Sequence, residues 1–291
     1  MSKPIVVGYD ASESANRGLE WAAVEASGRG LPLVVLTAWN TPSAEITLGG
    51  GSAMDRNLFD VLRDDATKTA EGGVARALEV APDVDATAEV WLGPPAAGIV
   101  EASKKASVVV VGSQGQGGIR GLLLGSVSRQ VAAHAKCPAI IVRKAENPDS
   151  RVIVVGVDGS PQSIKALDLA FDEASRRAYS LRVLHTWEVP PIGAITGVPT
   201  FAPPEMLADL SGIEMRTTSE ALAGFRDRYP DVSVHQDVQR GTPVKALVKA
   251  SRDAIAVVVG SRGRGGFTGL LLGSVSHGVA HQAHCTVVVV P

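Results

Sequence analysis

The sequence predicts an α/β protein of two tandem, doubly wound domains, each a five-stranded parallel sheet flanked by four helices. Two observations predict it. The first is a duplication: residues 121–128 (GLLLGSVS) return letter for letter at 269–276, 148 positions on, and 109–113 (VVVGS) return at 257–261. The same offset carries Gly8 onto Gly156, Asp10 onto Asp158, Trp39 onto Trp187, Gly93 onto Gly241, Pro95 onto Pro243 and Cys137 onto Cys285. An offset that holds across the whole half means one fold repeated with its loop lengths kept, and any site must be read twice. The second is the alternation, within each copy, of short apolar runs with stretches of helical periodicity. Strands that alternate with helices require a parallel sheet covered on both faces, with right-handed crossovers.

Each element has its own warrant. PIVVGYD at 4–10 is a short apolar run ending in a glycine and an acid, which reads as a buried strand. Ser12 or Ser14 supplies an N-cap for a helix whose apolar face runs through Leu19, Trp21, Ala22, Ala23 and Ala26. LVVLTAW at 33–39 is the second strand. Residues 41–53, rich in Gly, Pro and Ser, form a loop; they and 189–204 are either lids or plain connections. A long helical pattern covers 55–81, and the alternation over 84–91 is that of a half-exposed or edge strand. Gly93-Pro94-Pro95 breaks the chain before a helix over 96–106. The four valines at 108–111 are the most buried-looking strand. A glycine-rich loop, a helix over 126–135 and the strand PAIIV at 138–142 close the unit. The expected domains are 1–144 and 151–291, joined by a polar linker over 145–150.

Composition bounds the function. At 291 residues each copy is long enough for its own core. The net charge of −2, with no basic block, argues against nucleic acid as a partner. No apolar run approaches about 18 residues, so no membrane span is expected. The first residues lack the apolar stretch of a signal peptide, which points to the cytoplasm. Two lone cysteines suit that reducing compartment and read as small buried hydrophobes.

The chemistry lies in the loop after the fourth strand. It reads Gly112-Ser113-Gln114-Gly115-Gln116-Gly117-Gly118, with Gly125-Ser126-Val127-Ser128 opening the next helix. The second copy reads Gly260-Ser261-Arg262-Gly263-Arg264-Gly265-Gly266, then Gly273-Ser274-Val275-Ser276. Glycines let backbone N–H groups approach a ligand closely, and a helix N-terminus adds free donors and partial positive charge. The serines are expected to add hydroxyls. Together they make an anion pocket sized for a di- or triphosphate. Glycines can also serve only to shape a turn, but both copies keep them all. A P-loop is excluded, because Gly-Lys occurs nowhere in the chain. A dinucleotide fingerprint fails too: Arg120 stands where its last glycine belongs, and the loop follows the fourth strand, not the first. In doubly wound folds ligands bind beyond the carboxyl ends of strands, here Asp10, Ala38-Trp39 and Gly112-Ser113.

Other candidates are weaker. His277 and His281, four apart with His284 and Cys285 beyond, have metal-ligand spacing, but the first copy has Arg129, Ala133 and Lys136 at the histidine positions. No G-x-S-x-G elbow and no histidine shared by the copies supports serine catalysis. His185 reads as a packed strand residue.

G-x-x-G, nine residues, then G-S resembles the nucleotide-binding signature of the universal stress protein family: Gly112, Gly115 and Gly125-Ser126, then Gly260, Gly263 and Gly273-Ser274. VGYDAS at 7–12 and VGVDGS at 155–160 are similar to that family's V-G-x-D-x-S, as is Gly-x-Pro before the third helix. The whole chain resembles the tandem-domain members of actinobacteria. The resemblance implies strand order 3-2-1-4-5 and one ATP per domain. It places Asp10 and Asp158 beside the nucleoside, flanked by Gly8, Tyr9, Gly156 and Val157. Ala38 and Thr186 would meet adenine, Val111 and Val259 the base or ribose, and the glycine loops and helix starts the phosphates. Mg²⁺ would be held mainly by phosphate oxygens. The implied role is a regulatory ATP sensor of stress or dormancy with slow or no hydrolysis, acting through a protein partner or homodimer. An adenylyl- or phosphoryl-transfer enzyme and a nucleotide-free interaction module are the alternatives.

Overall fold

The computed structural model describes residues 2–40, 53–115, 124–188, 204–264 and 272–291. The stretches 41–52 and 189–203, and with them the question of lids, lie outside these residues. The chain divides into two compact units, 1–144 and 145–290.

The first unit runs β1 (Ile5–Gly8), α1 (Glu13–Arg29), β2 (Leu33–Trp39), α2 (Ala53–Val80), β3 (Ala86–Leu92), α3 (Pro95–Ala102), β4 (Val108–Gly112), α4 (Ser126–His134) and β5 (Ala139–Val142). All its pairings are parallel, and the strand order is β3-β2-β1-β4-β5. Helices α1 and α2 pack together on one face of the sheet, α3 and α4 on the other. The central strands bury both faces, as their unbroken valine and isoleucine runs require: Ile5, Val7, Val109 and Val110 are fully inaccessible. β3 at the edge exposes every residue of its run but Ala86 and Trp91 to a large degree, as an edge strand does and beyond the half-exposure that its alternating sequence suggested.

The second unit repeats the plan: β6 (Val152–Val157), α5 (Pro161–Arg177), β7 (Ser180–Trp187), α6 (Pro204–Arg228), β8 (Val234–Arg240), α7 (Pro243–Ala250) with a 3-10 turn (Ser251–Asp253), β9 (Ala256–Gly260), α8 (Ser274–Gln282) and β10 (Thr286–Val290). Its order is β8-β7-β6-β9-β10, again all parallel.

Local chemistry explains the helix ends. Ser12 Oγ accepts from Ala15 N at 3.1 Å and caps α1; Ser160 Oγ accepts from Ser163 N at 3.2 Å and caps α5, with Pro161 at its first position. The third helix stops at Ala102, short of the 106 that periodicity suggested. Beyond it the backbone tightens into turns, with Lys104 N donating to Glu101 O at 3.2 Å and Lys105 N to Ala102 O at 3.0 Å, while the Ser103 hydroxyl donates to Val100 O at 2.6 Å and accepts from Lys136 N at 2.9 Å. Residues 145–150 are fastened to the second unit. Glu146 pairs with Arg252 at 2.9 Å and His284 Nδ1 at 2.6 Å, and Ser150 Oγ donates to Asp253 O at 2.7 Å.

Candidate functional site

In each unit the strand order reverses between β1 and β4, or β6 and β9, and a crevice opens at their carboxyl ends. In the first unit it is a cavity of about 430 Å³, in the second about 560 Å³. The walls correspond at the 148 offset. Gly8, Tyr9, Asp10, Ala38, Val111, Gly112, Gln114, Gly115, Gly125, Ser126, Val127 and Ser128 line the first. Gly156, Val157, Asp158, Thr186, Val259, Gly260, Arg262, Gly263, Arg264, Gly273, Ser274, Val275 and Ser276 line the second. The sequence-based list thus converges on one place per unit. Gln116, Gly117, Gly118, Gly265 and Gly266 lie outside the described residues.

The glycines are there because of close approach. A Cβ on Gly115 would stand 2.8 Å from Asp10 Oδ2, and one on Gly112 would stand 2.6 Å from Ser14 Oγ. The aspartate and the loop therefore pack as one piece. Asp10 Oδ1 accepts from Ser12 N at 3.0 Å. Asp158 is held on both oxygens: Oδ1 by Ser160 N at 2.9 Å and Oδ2 by Arg264 N at 2.9 Å. Burial would raise the Asp158 carboxyl, but the hydrogen bonds from Ser160, Arg264 N–H and Ser163 outweigh it and hold it below the ordinary carboxylate range.

Helices α3, α4, α7 and α8 all start without a side-chain cap, and of these α4 and α8 follow the glycine loop. α4 and α8 begin at Gly125 and Gly273, with no side chain capping them and no acid in the first turn. Their first amides face the cavity with a macrodipole that favours an anion. α1 and α5, capped by serines, offer no such site.

Four serines behave differently from expectation. Ser128 and Ser276 are buried, and their hydroxyls donate to backbone carbonyls, Gly112 O at 2.7 Å and Ser261 O at 2.9 Å. Their protons brace the loop against the helix and are not offered to a ligand. Ser113 and Ser261 do not line the cavities. Their N–H groups extend the sheet, to Val142 O at 3.2 Å and Val290 O at 2.6 Å. Ser126 and Ser274, both exposed at the helix starts, keep their place in the walls.

The structure adds an apolar floor that motif reasoning missed: Leu36, Pro95 and Ile99 in the first cavity, Leu184, Pro243 and Leu247 in the second. Leu36 and Pro95 recur unchanged at the same offset, and Ile99 is matched by Leu247. The second cavity also gains Glu188.

The remaining candidates resolve plainly. The rings of His277 and His281 are 6.3 Å apart, but among the described residues no three His, Cys, Asp or Glu gather to hold a metal. Both cysteines are buried thiols outside any disulfide, and burial pushes the Cys137 thiol up to about 11. No helix among the described residues is long and apolar enough to cross a membrane.

Comparison with known proteins agrees with this architecture. The universal stress protein family matches residues 1–143 and again 150–291. A universal stress protein of Mycolicibacterium smegmatis is 37% identical over 293 residues, 98% of this chain and 96% of its own. One from Mycobacterium tuberculosis is 36% identical over 301 residues, 99% of each chain. The crystal structure of a universal stress protein from Archaeoglobus fulgidus superposes with a TM-score of 0.68 at 24% identity, covering 100% of this chain and 99% of that one, and so shares the fold. The chain belongs to the universal stress protein family, as a member carrying two copies of its fold.

Proposed function

We propose that the protein is a regulatory nucleotide sensor that binds one ATP in each unit and hydrolyses it slowly or not at all. The observation that carries this reading is the duplicated cavity. Both copies combine an apolar floor, an aspartate locked to a glycine loop and an uncapped helix N-terminus. An apolar surface with a few placed polar groups suits a base and ribose, and the loop and first-turn amides suit a polyphosphate. Ala38 and Val111, or Thr186 and Val259, would take the adenosine. The backbone from Gly112 to Gly115 and the start of α4, with their counterparts in the second unit, would take the phosphates. Mg²⁺ would ride on the phosphate oxygens, since the walls supply a single aspartate near the loop in the first cavity. Hydrolysis needs a base beside an attacking water. The acid best placed in the second cavity, Asp158, has both oxygens committed to backbone N–H groups.

The test is direct. Protein purified without added nucleotide is denatured, and its released ligands are separated and quantified. The stripped protein is then titrated with Mg-ATP by calorimetry. The expected outcome is adenine nucleotide in the released fraction and two ATP bound per chain. No released nucleotide and no binding heat would leave the interaction-module reading. Turnover faster than about one per second would favour a transferase or hydrolase.

A further inference from the structure

The two units hold the peptide before their site aspartate by different chemistry. In the first, Thr37 Oγ1 donates to Tyr9 O at 3.0 Å. In the second, the position of Thr37 is taken by His185, whose Nδ1 lies 2.8 Å from Val157 O. A carbonyl only accepts, so Nδ1 carries a hydrogen. The other ring nitrogen, Nε2, lies 2.9 Å from Glu214 Oε2. A neutral imidazole with its hydrogen on Nδ1 would aim a lone pair at that carboxylate. The contact is attractive only when the pair holds one more proton, as imidazolium beside carboxylate.

The surroundings fit an ion pair that opens and closes. The side chain of His185 is 12% exposed and that of Glu214 33%. They wall a cavity of about 40 Å³ between β7 and α6. Thr217 and Thr218 face it from α6, Ile164 and Leu167 from α5, and Asp158 and Arg264 from the loops at the mouth of the nucleotide pocket. The strand neighbours of His185 are Val157 on β6 and Val238 on β8, neither ionisable. In the first unit the same space is closed. Tyr9 fills it, donating to Asn16 Oδ1 at 2.8 Å, with its ring so near Gly73 that a Cβ there would come within 2.8 Å. Val157 and Ala221 replace Tyr9 and Gly73 in the second unit and leave room.

The peptide that His185 grips is the one that places Asp158. Its carbonyl is bonded to His185, and its N–H donates to Ser163 Oγ at 3.4 Å. The next residue of β7, Thr186, lines the nucleotide cavity. We infer that His185, paired with Glu214, is a protonation-dependent positioning residue that makes nucleotide affinity in the second pocket, and not the first, fall when the pair loses its shared proton. Loss of the shared proton turns the Nε2 contact repulsive, the ring leaves its place, and the Val157 carbonyl loses its partner.

This inference rests on the nucleotide reading, and the experiment separates the two. Full-length chains carrying Gly125→Asp or Gly273→Asp, each blocking one pocket, are titrated with Mg-ATP between about pH 6 and about pH 8. The nucleotide's own titration is controlled by His185→Thr, which keeps Arg262 and Arg264 in the second wall. The second pocket should weaken relative to the first by roughly fivefold, the worth of one hydrogen bond. His185→Thr, which installs the residue of the first unit, should abolish that difference. Glu214→Gln should hold the second pocket at its tight level up to high pH, because an amide donates to neutral Nε2. Parallel profiles for the two pockets, or a Glu214→Gln profile that follows the parent, would overturn the inference. Absence of ATP binding at every pH would instead overturn the nucleotide reading and the coupling with it. In that case ¹⁵N spectra of the histidine-labelled chain still decide the pair: an Nε2 that stays unprotonated at about pH 6 removes it.

Discussion

Asp158 is an acid of the second unit that folding holds in its charged form. Its carboxyl is buried enough to resist charging, yet Ser160, Arg264 and Ser163 hold it below the ordinary range. A group depressed on folding stabilises the fold above its unfolded value, near 3.9 for an aspartate, and that stabilisation is lost as pH falls through the lower folded value. Asp158→Asn should therefore lower the urea midpoint at about pH 7, and the gap to the parent should close as pH falls through the aspartate's lowered folded value. A gap of equal size at both ends would assign the loss to packing and not to charge. The sequence announced this aspartate, and the glycines around it, because a short motif repeated in register marks backbone geometry that few residues satisfy. It did not announce what Ser128 and Ser276 do. A hydroxyl in the first turn of a helix can face the ligand or the preceding carbonyl, and only the packed loop decides; here both turn inward. The same limit hid Leu36 and Ile99: apolar letters on a strand and a helix look alike whether they fill a core or floor a cavity.

The elements divide into those stabilised by their own caps and those left open. α1 and α5 carry serine caps, whereas α4 and α8 start at glycines with ordinary extended backbone, φ −71° and ψ 161° at Gly125. Nothing in that conformation demands glycine, and a Cβ there would meet Ser113 O at 3.3 Å, tight but accommodated by a small shift. An aspartate at 125 would cap α4, a change worth about a few tenths of a kcal/mol over the glycine already there. It would also place a negative charge where a phosphate is proposed to sit. Gly125→Asp should therefore keep or raise the melting temperature while abolishing ATP binding in the first pocket. Retained affinity would move the phosphates away from the α4 N-terminus. Ser12→Ala is the converse: it should cost about 1 kcal/mol of stability and leave affinity unchanged to within a factor of two or so. Strand and helix order were readable throughout, because period and length agree at every segment. Helix ends were less so, as α3 shows, since its last residues pass into i→i+3 turns at Lys104 and Lys105 without any break in the hydrophobic pattern.

Across the molecule, duplication has given two pockets of one design and different charge. The first presents Gln114 at the position where the second presents Arg262, and Arg264 also joins the second wall. Both arginines are exposed. Exposed guanidinium groups form charge-assisted bonds to phosphate about twice as strong as neutral ones, but salt screens them over a Debye length of about 8 Å at physiological strength. The second pocket should accordingly bind triphosphate more tightly at low salt and lose roughly fivefold or more of its affinity as salt rises, while the first changes little. Replacing Arg262 and Arg264 together by glutamine should give the second pocket the salt response of the first without altering its pH response, which arises at His185. A double variant that keeps the parental salt slope would show these side chains extended into solvent and away from the phosphates. Loss of the pH response along with the salt response would tie Arg264, which walls both the nucleotide cavity and the His185 cavity, into a single device with the histidine.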